Sequence, residues 1–391
     1  MEVREPYKAG IYFCDAVNKG FLNLAIGETP YGMSDASRKV LIEAAEKGSL
    51  PYPDSSGGEL VEKIASHCRV DPDMVFIGNG TDEILLCCAL AFLRAGDACL
   101  MCRPTFPGFE ASAGLVRATP LYSPLNQMRV DVENMAALLQ KWPPLCFLCN
   151  PHNPTGTAIR PSDERYLIET ASRCNVVTVV DEAYAEYADP SEHEAGREKM
   201  DQIPENFCER VPVFESALSL VHQYPNVIVT RTFSKIYGIA GLRCGYAIGN
   251  KLLIEQLKKT RHAVPFNVNR LALIVGCAAI QDQNFVRECY RKTEEVKQFF
   301  YRWLKEKNLS YVPSFTNFVL VHFNRETDSI CAELKDRYQI LVRSGTPFGY
   351  PHSIRITLGT LDQMKYAVQC LEKVCLKFEL SAAPPEAVFF E

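Results

Sequence analysis

Hydrophobic positions along the chain fall into short continuous runs that alternate with longer amphipathic stretches. Ser34 to Lys47 reads as a capped helix, and Leu50 to Gly58 breaks regular structure with Pro, Asp and paired Gly before a helix from Glu59 to Cys68. A regular alternation follows. Strands are expected at 74–78, 98–102, 119–122, 145–149, 176–180, 227–230 and 246–249, with helices at 81–94, 106–115, 132–140 and 162–173 between the earlier ones. Continuous apolar strands alternating with helices predict an α/β fold, a mainly parallel seven-stranded sheet covered on both faces. Ligands of such sheets bind beyond the carboxyl ends of the strands.

From Glu255 the pattern changes to helices running through 271–280 and 285–307. A strand at 318–323, a helix near 329–338, strands at 339–343 and 353–358, and a final helix from Leu361 complete the chain. This order predicts a smaller C-terminal α+β domain. The expected division is a large domain at 30–266 and a small one made of 1–29 together with 267–391.

Composition adds exclusions. The net charge of −5 lacks the basic excess of a nucleic-acid binder, and a DNA-binding regulator with an added basic module is not expected. No apolar run reaches the roughly 18 residues that a membrane span needs. The opening MEVREPYKAGIYF has charges and no apolar core of a signal peptide, so a cytoplasmic enzyme is expected. Two Cys-x-x-Cys spacings, Cys99/Cys102 and Cys146/Cys149, raise the question of zinc. Both lie in expected strands, where residues three apart face opposite ways and cannot converge on one metal. No metal is expected. The cysteines read as buried thiols in a reducing compartment. Between Asp189 and Pro212 a stretch with a net charge of −4 (seven acidic and three basic residues) reads as a surface insertion or a charged lid.

Four segments carry candidate chemistry. Lys235 stands beside Thr232 and Ser234, three glycines follow at 238, 241 and 245, and Arg243 lies eight positions after the lysine. A buried lysine tends to lose its proton and become nucleophilic, as a Schiff-base enzyme requires, and the neighbouring groups could hold a phosphate. The alternative is a strand ending in an exposed lysine before a turn. Gly78-Asn-Gly-Thr-Asp-Glu83 joins a strand to a helix, whose free amides suit an anion. Asn153 lies in Cys149-Asn-Pro-His-Asn-Pro-Thr-Gly156, where two prolines stiffen the loop or simply make a turn. Asp181 ends an apolar strand with Tyr184 close by; it needs a positive partner there, or it caps a helix starting at Glu182.

Together these residues resemble the fold-type I aminotransferases that use pyridoxal 5′-phosphate, and within them the histidinol-phosphate aminotransferase-like group. The shared marks are PYPD (51–54), GNGTDE (78–83), NPHNPTG (150–156), DEAY (181–184), TFSKIYGIAGLRCGY (232–246), PFNVN (265–269), ILVR (340–343) and IRITLGT (354–360). The resemblance implies that Lys235 forms the Schiff base and shuttles the proton. It implies that Asp181 faces the pyridine nitrogen, that Asn153 and Tyr184 reach the ring hydroxyl, and that Phe106 stacks on the ring. The Thr81 and Asp82 amides, Thr232, Ser234 and Arg243 would form the phosphate cup. Tyr52 resembles the residue that reaches the neighbouring subunit's cofactor phosphate, which implies a homodimer. Arg355 resembles the arginine that takes a substrate carboxylate or phosphate, with Arg343 a second candidate.

The implied activity moves an amino group from an amino acid or amino-alcohol phosphate to a 2-oxo acid. A second reading keeps the scaffold and makes it a lyase, cyclase, decarboxylase or oxidase of a cationic, arginine-derived amino acid, drawn by the acidic insertion. The chain departs from the group's pattern at Thr29, Pro51 and Phe266, all near the entrance or the substrate phosphate.

Overall fold

The computed structural model describes residues 19–188 and 214–381. The acidic stretch at 189–212 lies outside them.

Strand β1 (Leu22–Leu24) is followed by α1 (Asp35–Glu46), which begins where the Ser34 hydroxyl accepts the Ser37 N–H at 3.1 Å. Next are α2 (Gly58–Cys68), β2 (Val75–Gly78), α3 (Thr81–Phe92), β3 (Ala98–Arg103) and α4 (Pro107–Leu115). Then come β4 (Thr119–Asn126), β5 (Arg129–Val130), α5 (Val132–Leu139), β6 (Leu145–Cys149) and α6 (Pro161–Arg173). Pro107 and Pro161 open their helices, where the missing N–H costs nothing. Strands β7 (Val177–Asp181), β8 (Val227–Thr232) and β9 (Gly245–Gly249) complete the first sheet.

That sheet has the order β2-β9-β8-β7-β6-β3-β4-β5, with β8, β7, β6, β3 and β4 mutually parallel and β9 antiparallel to both neighbours. The seven expected strands are all present. The eighth, β5, is additional to them, because two residues are too few to show alternation; it forms where the chain turns back through Gln127 and Met128, both at positive φ.

Period-2 alternation sorts the strand side chains onto two faces. Leu100, Cys102, Cys146, Leu148 and Val180 meet α2, α5, α6 and the helix that begins at Arg270. Cys99, Met101, Phe147, Cys149 and Val179 meet α3, α4 and the helix that begins at Lys251. Each Cys-x-x-Cys pair is thereby split between the two faces, as strand geometry requires.

Helices α7 (Lys251–Arg261), α8 (Arg270–Gln281) and α9 (Gln283–Glu306) lead to β10 (Ser310–Val312), β11 (Phe318–His322), α10 (Asp328–Tyr338), β12 (Ile340–Ser344), β13 (Ser353–Thr357) and α11 (Leu361–Phe378). A capping box between Thr360 and Gln363 starts α11. The second sheet has the order β1-β12-β13-β11-β10 and its own core, including Phe300, Val319, Ile354 and Leu371. The stretch read as irregular before residue 30 contributes β1, which pairs in parallel with β12 and carries the following residues back over the first sheet. Three residues offer no periodicity to detect. No helix among the described residues is long and apolar enough to cross a membrane.

Candidate active site

The carboxyl ends of β7 and β8 set the floor of the site. Asp181 and Thr230 are paired in the sheet, and Asp181 Oδ1 accepts hydrogen bonds from Thr230 Oγ1 and from the Ala183 N–H, both at 3.2 Å. The carboxylate therefore anchors the turn after β7 and not a helix beginning at Glu182; the next helical turn is a short one at Ala185–Tyr187. Asp181 is 4% exposed, and burial pushes its carboxyl up to about 7 despite the two hydrogen bonds and nearby Lys235. Behind it, buried Arg231 contacts Glu182 at 3.0 Å and donates to Ser216 Oγ at 3.1 Å, tying the two strand ends together.

Lys235 follows β8. Its Nζ donates to the carbonyl of Ile26 at 3.2 Å and stands 5.3 Å from the centre of the Tyr184 ring. One end of the floor is an anion cradle. Gly80, at φ +77°, precedes the first turn of α3, and a Cβ there would lie 2.5 Å from Arg243 Nη2. Only glycine lets the guanidinium approach the helix start this closely. Arg243 pairs with Asp82 at 2.9 Å and reaches Ser234 Oγ at 3.4 Å, while Thr232 Oγ1 accepts the Ser234 N–H at 3.1 Å.

Asn153 is set by its stiff loop. Its N–H donates to Cys149 Sγ at 3.3 Å, and its Oδ1 accepts Arg355 Nη1 at 2.6 Å, leaving the amide Nδ2 as the donor for a ligand. His152 is buried, bonded through Nδ1 to Thr155 Oγ1 at 2.9 Å, and held down to about 4 by burial. It is a neutral loop residue. Tyr184 packs edge-on against Phe318 at 5.2 Å. Phe106 precedes α4 and meets Phe109 edge-on at 5.8 Å, with Phe109 stacked on Phe147 behind it.

The opposite wall comes from the second sheet. Arg343 and Arg355 are directly paired across β12 and β13, with Phe348 5.6 Å and 5.9 Å from their guanidinium carbons. Like charges facing each other across a sheet are destabilising, and an anion between them removes that penalty.

Lys235, Asp181, Tyr184, Asn153, Phe106, Thr81, Asp82, Thr232, Ser234, Arg243, Arg343 and Arg355 all line one cavity of about 390 Å³. Tyr52 is apart from it, 81% exposed, with its ring tilted against that of Phe266 at 4.9 Å. The cavity also includes Ala25, Ile26, Cys149 and Phe348, which sequence reasoning does not single out as site residues. Cys149 carries a usable signal, since it begins the NPHNPTG loop; the other three have no local mark.

The donor set fits pyridoxal phosphate. Thr81 Oγ1 is buried at the cradle with no hydrogen-bond partner among the described residues, as a phosphate donor would be. Asp181 is a desolvated carboxyl in need of a cation, and a protonated pyridine nitrogen supplies one. Lys235 brings the amine to the same cavity. Fold and site define a pyridoxal-phosphate enzyme of fold type I.

The description Aminotransferase class I and II matches residues 19–371. The chain belongs to that family, and it is a pyridoxal-phosphate-dependent aminotransferase. The histidinol-phosphate aminotransferase of Geobacillus sp. strain WCH70 is 34% identical over 359 residues, covering 92% of this chain and 91% of that one. Among solved structures, histidinol-phosphate aminotransferase from Sinorhizobium meliloti in complex with pyridoxal-5′-phosphate superposes with a TM-score of 0.80 at 24% identity, over 93% of this chain and 94% of the other. The aromatic aminotransferase from Pyrococcus horikoshii OT3 gives 0.78 at 19% identity, over 94% and 99%. Neighbours with different substrate names share the fold, so the fold alone does not select the amine.

Proposed function

We propose that the protein transfers the amino group between an amino acid or amino-alcohol phosphate, of which histidinol phosphate is the first candidate, and a 2-oxo acid. The observation that carries the reading is a single cavity with Lys235 and Asp181 on its floor and the facing pair Arg343 and Arg355 on its wall. Two guanidinium groups favour an anionic substrate and disfavour a cationic one. That favours a second anionic group on the substrate over the cationic side chain of an arginine-derived amino acid, a reading whose only support is the acidic stretch outside the described residues. Relatives named histidinol-phosphate aminotransferase at 34% and 35% identity support the choice of candidate.

Bound pyridoxal phosphate supplies an electron sink for the carbon that bears the amino group. Asp181, held by Thr230 and the Ala183 N–H, would face the pyridine nitrogen, whose positive charge would favour the ionised carboxylate. Asn153 Nδ2 and the Tyr184 hydroxyl would hold the ring hydroxyl, Phe106 would pack on the ring, and the α3 amides with Thr81, Thr232, Ser234 and Arg243 would hold the phosphate. Lys235 Nζ would be the attachment point for the cofactor, and as a free amine at the floor of the cavity it is the base placed to take the proton from the substrate α-carbon. Arg355, with Arg343 beside it, holds the substrate's anionic group.

The working unit in this reading is a homodimer in which exposed Tyr52 reaches the partner's phosphate cup. The division in this reading is a large domain at 30–266 and a small one at 1–29 with 267–391, and α8, which packs on the first sheet, lies across it. A cytoplasmic setting is supported by the free cysteines of the described residues, most of them buried.

A half-reaction screen tests the proposal: the holoenzyme is mixed with single amines, its absorbance is followed and the product is weighed by mass spectrometry. Histidinol phosphate should bleach the cofactor's absorbance and yield the matching carbonyl compound. If no amine does so, or if the product has lost carbon dioxide or ammonia alone, amino transfer is not the reaction.

A further inference from the structure

Four consecutive backbone carbonyls, Ala25 to Glu28, are each held by a side chain from elsewhere in the chain. Arg355 Nη2 donates to Ala25 O at 2.7 Å and Lys235 Nζ to Ile26 O at 3.2 Å. Asn317 Nδ2 donates to both Gly27 O at 3.0 Å and Glu28 O at 3.3 Å, and the Gly27 N–H donates to Thr357 Oγ1 at 3.1 Å. The segment is pressed against the chemistry. A Cβ on Gly27, whose φ is +70°, would lie 2.9 Å from Tyr184 Oη and 3.4 Å from Lys235 Nζ. A small displacement here changes the surroundings of the reacting amine.

These tethers differ in kind. On the proposed aminotransfer reading, on which this inference rests, Arg355 turns to the substrate's anionic group while Lys235 Nζ would be taken up by the cofactor. Both then leave their carbonyls. Asn317 and Thr357, at the start of β11 and the end of β13, have no such second task. Asn317 is 1% exposed, and its Oδ1 is buried with no partner among the described residues. An unsatisfied buried amide oxygen is costly, and reversing the amide is no remedy, because the oxygen would then face two carbonyl oxygens. Its surroundings thus keep Asn317 donating to Gly27 and Glu28.

We infer that Asn317 is a positioning residue for amino transfer: it holds Gly27 and Glu28 over the site during the steps in which Lys235 and Arg355 have let go. It does not line the cavity and acts through the backbone it holds. Thr357 shares the task through the Gly27 N–H.

The test compares holoenzyme carrying Asn317→Ala or Thr357→Val with wild type, using hydrogen exchange with amino donor present, steady-state kinetics and borohydride fixation of the cofactor. The expected result for each variant is cofactor still fixed at Lys235, about tenfold faster exchange in residues 25–28, and kcat about tenfold lower with the donor KM changed less than about threefold, the scale of one hydrogen bond. Unchanged exchange, or kcat within about twofold of wild type, overturns the inference. Should Asn317→Ala fail to fold, Thr357→Val decides on the same readouts. A wild-type chain that fixes no cofactor at Lys235 overturns the aminotransfer reading together with this one. Fixation in the wild type with unaltered variants overturns this one alone.

Discussion

The two walls of the cavity are assembled in opposite ways. The floor that fits the cofactor is made at the carboxyl ends of adjacent strands, with Asp181 beside Thr230 in the sheet and Lys235 one short turn beyond β8. Its charges are already engaged: Asp181 by Thr230 and Ala183, Arg243 by Asp82 and Ser234. The substrate wall brings together residues 25, 343 and 355 from three strands or loops of the second sheet, and its Arg355 spends hydrogen bonds on Asn153 and Ala25 that a substrate must displace. The floor is a fixed instrument and the wall is adjustable. Changes in the floor should therefore cost rate with any substrate, whereas changes in the wall should cost affinity for particular ones.

The largest effect belongs to Lys235. Lys235→Ala removes both the attachment point and the base, and turnover should fall by at least about 10³-fold with every amine, measured as single-turnover product formation. Asp181→Asn should cost roughly 10²-fold in kcat, again regardless of the donor, because the charge opposite the pyridine nitrogen is lost while both hydrogen bonds to Oδ1 are kept. A donor-specific loss in either variant would break the distinction between floor and wall.

Asp181 also gives the comparison a pH signature. In the fold its carboxyl is raised from 3.8 to about 7, with burial as the main cause. Its contribution to stability is thus present below its unfolded value and lost as pH rises through about 7. In cofactor-free protein, Asp181→Asn should gain melting temperature relative to wild type at pH 8 and gain little at pH 4. Pyridoxal phosphate should reverse the order at pH 8 by giving the wild-type carboxylate its cation. Thermal scans of both proteins, cofactor-free at pH 4 and pH 8 and with pyridoxal phosphate at pH 8, check this.

On the wall, Arg355→Met should raise KM for a phosphorylated or carboxylated amine by about 10- to 100-fold, the scale of a charge-assisted hydrogen bond, and leave an uncharged amine nearly untouched. Arg343→Met should do the same more weakly. The smallest effect is expected from Tyr52→Phe, a few-fold loss of cofactor affinity read by equilibrium dialysis, since only a hydroxyl is removed from a site otherwise intact.

The same contrast decides which parts of the site are legible in the amino-acid sequence. Asp181, Asn153, Lys235 and Arg243 each sit in a short stretch with its own turn chemistry at a strand end, so the alternation that predicts the sheet also predicts their place. The substrate wall has no such local mark. Asn317 is 290 residues from the Gly27 carbonyl it holds, and β1, which brings Ala25 and Ile26 to the site, is three residues long. Phe348 follows a strand whose pattern says nothing of where its ring lies. Arg343 and Arg355 are legible only through resemblance, and their direct pairing across β12 and β13 appears only when the register is known. The alternative of a helix starting at Glu182 is not realised, because an Asp at a strand end suits a cap and a turn equally, and here it serves the turn.

The most direct test of the account is borohydride reduction of the holoenzyme followed by peptide mass mapping. One cofactor should be found on the peptide that contains Lys235, and none anywhere in Lys235→Ala. Label on a different lysine of the wild-type chain, or label persisting in Lys235→Ala, would contradict the account at its centre.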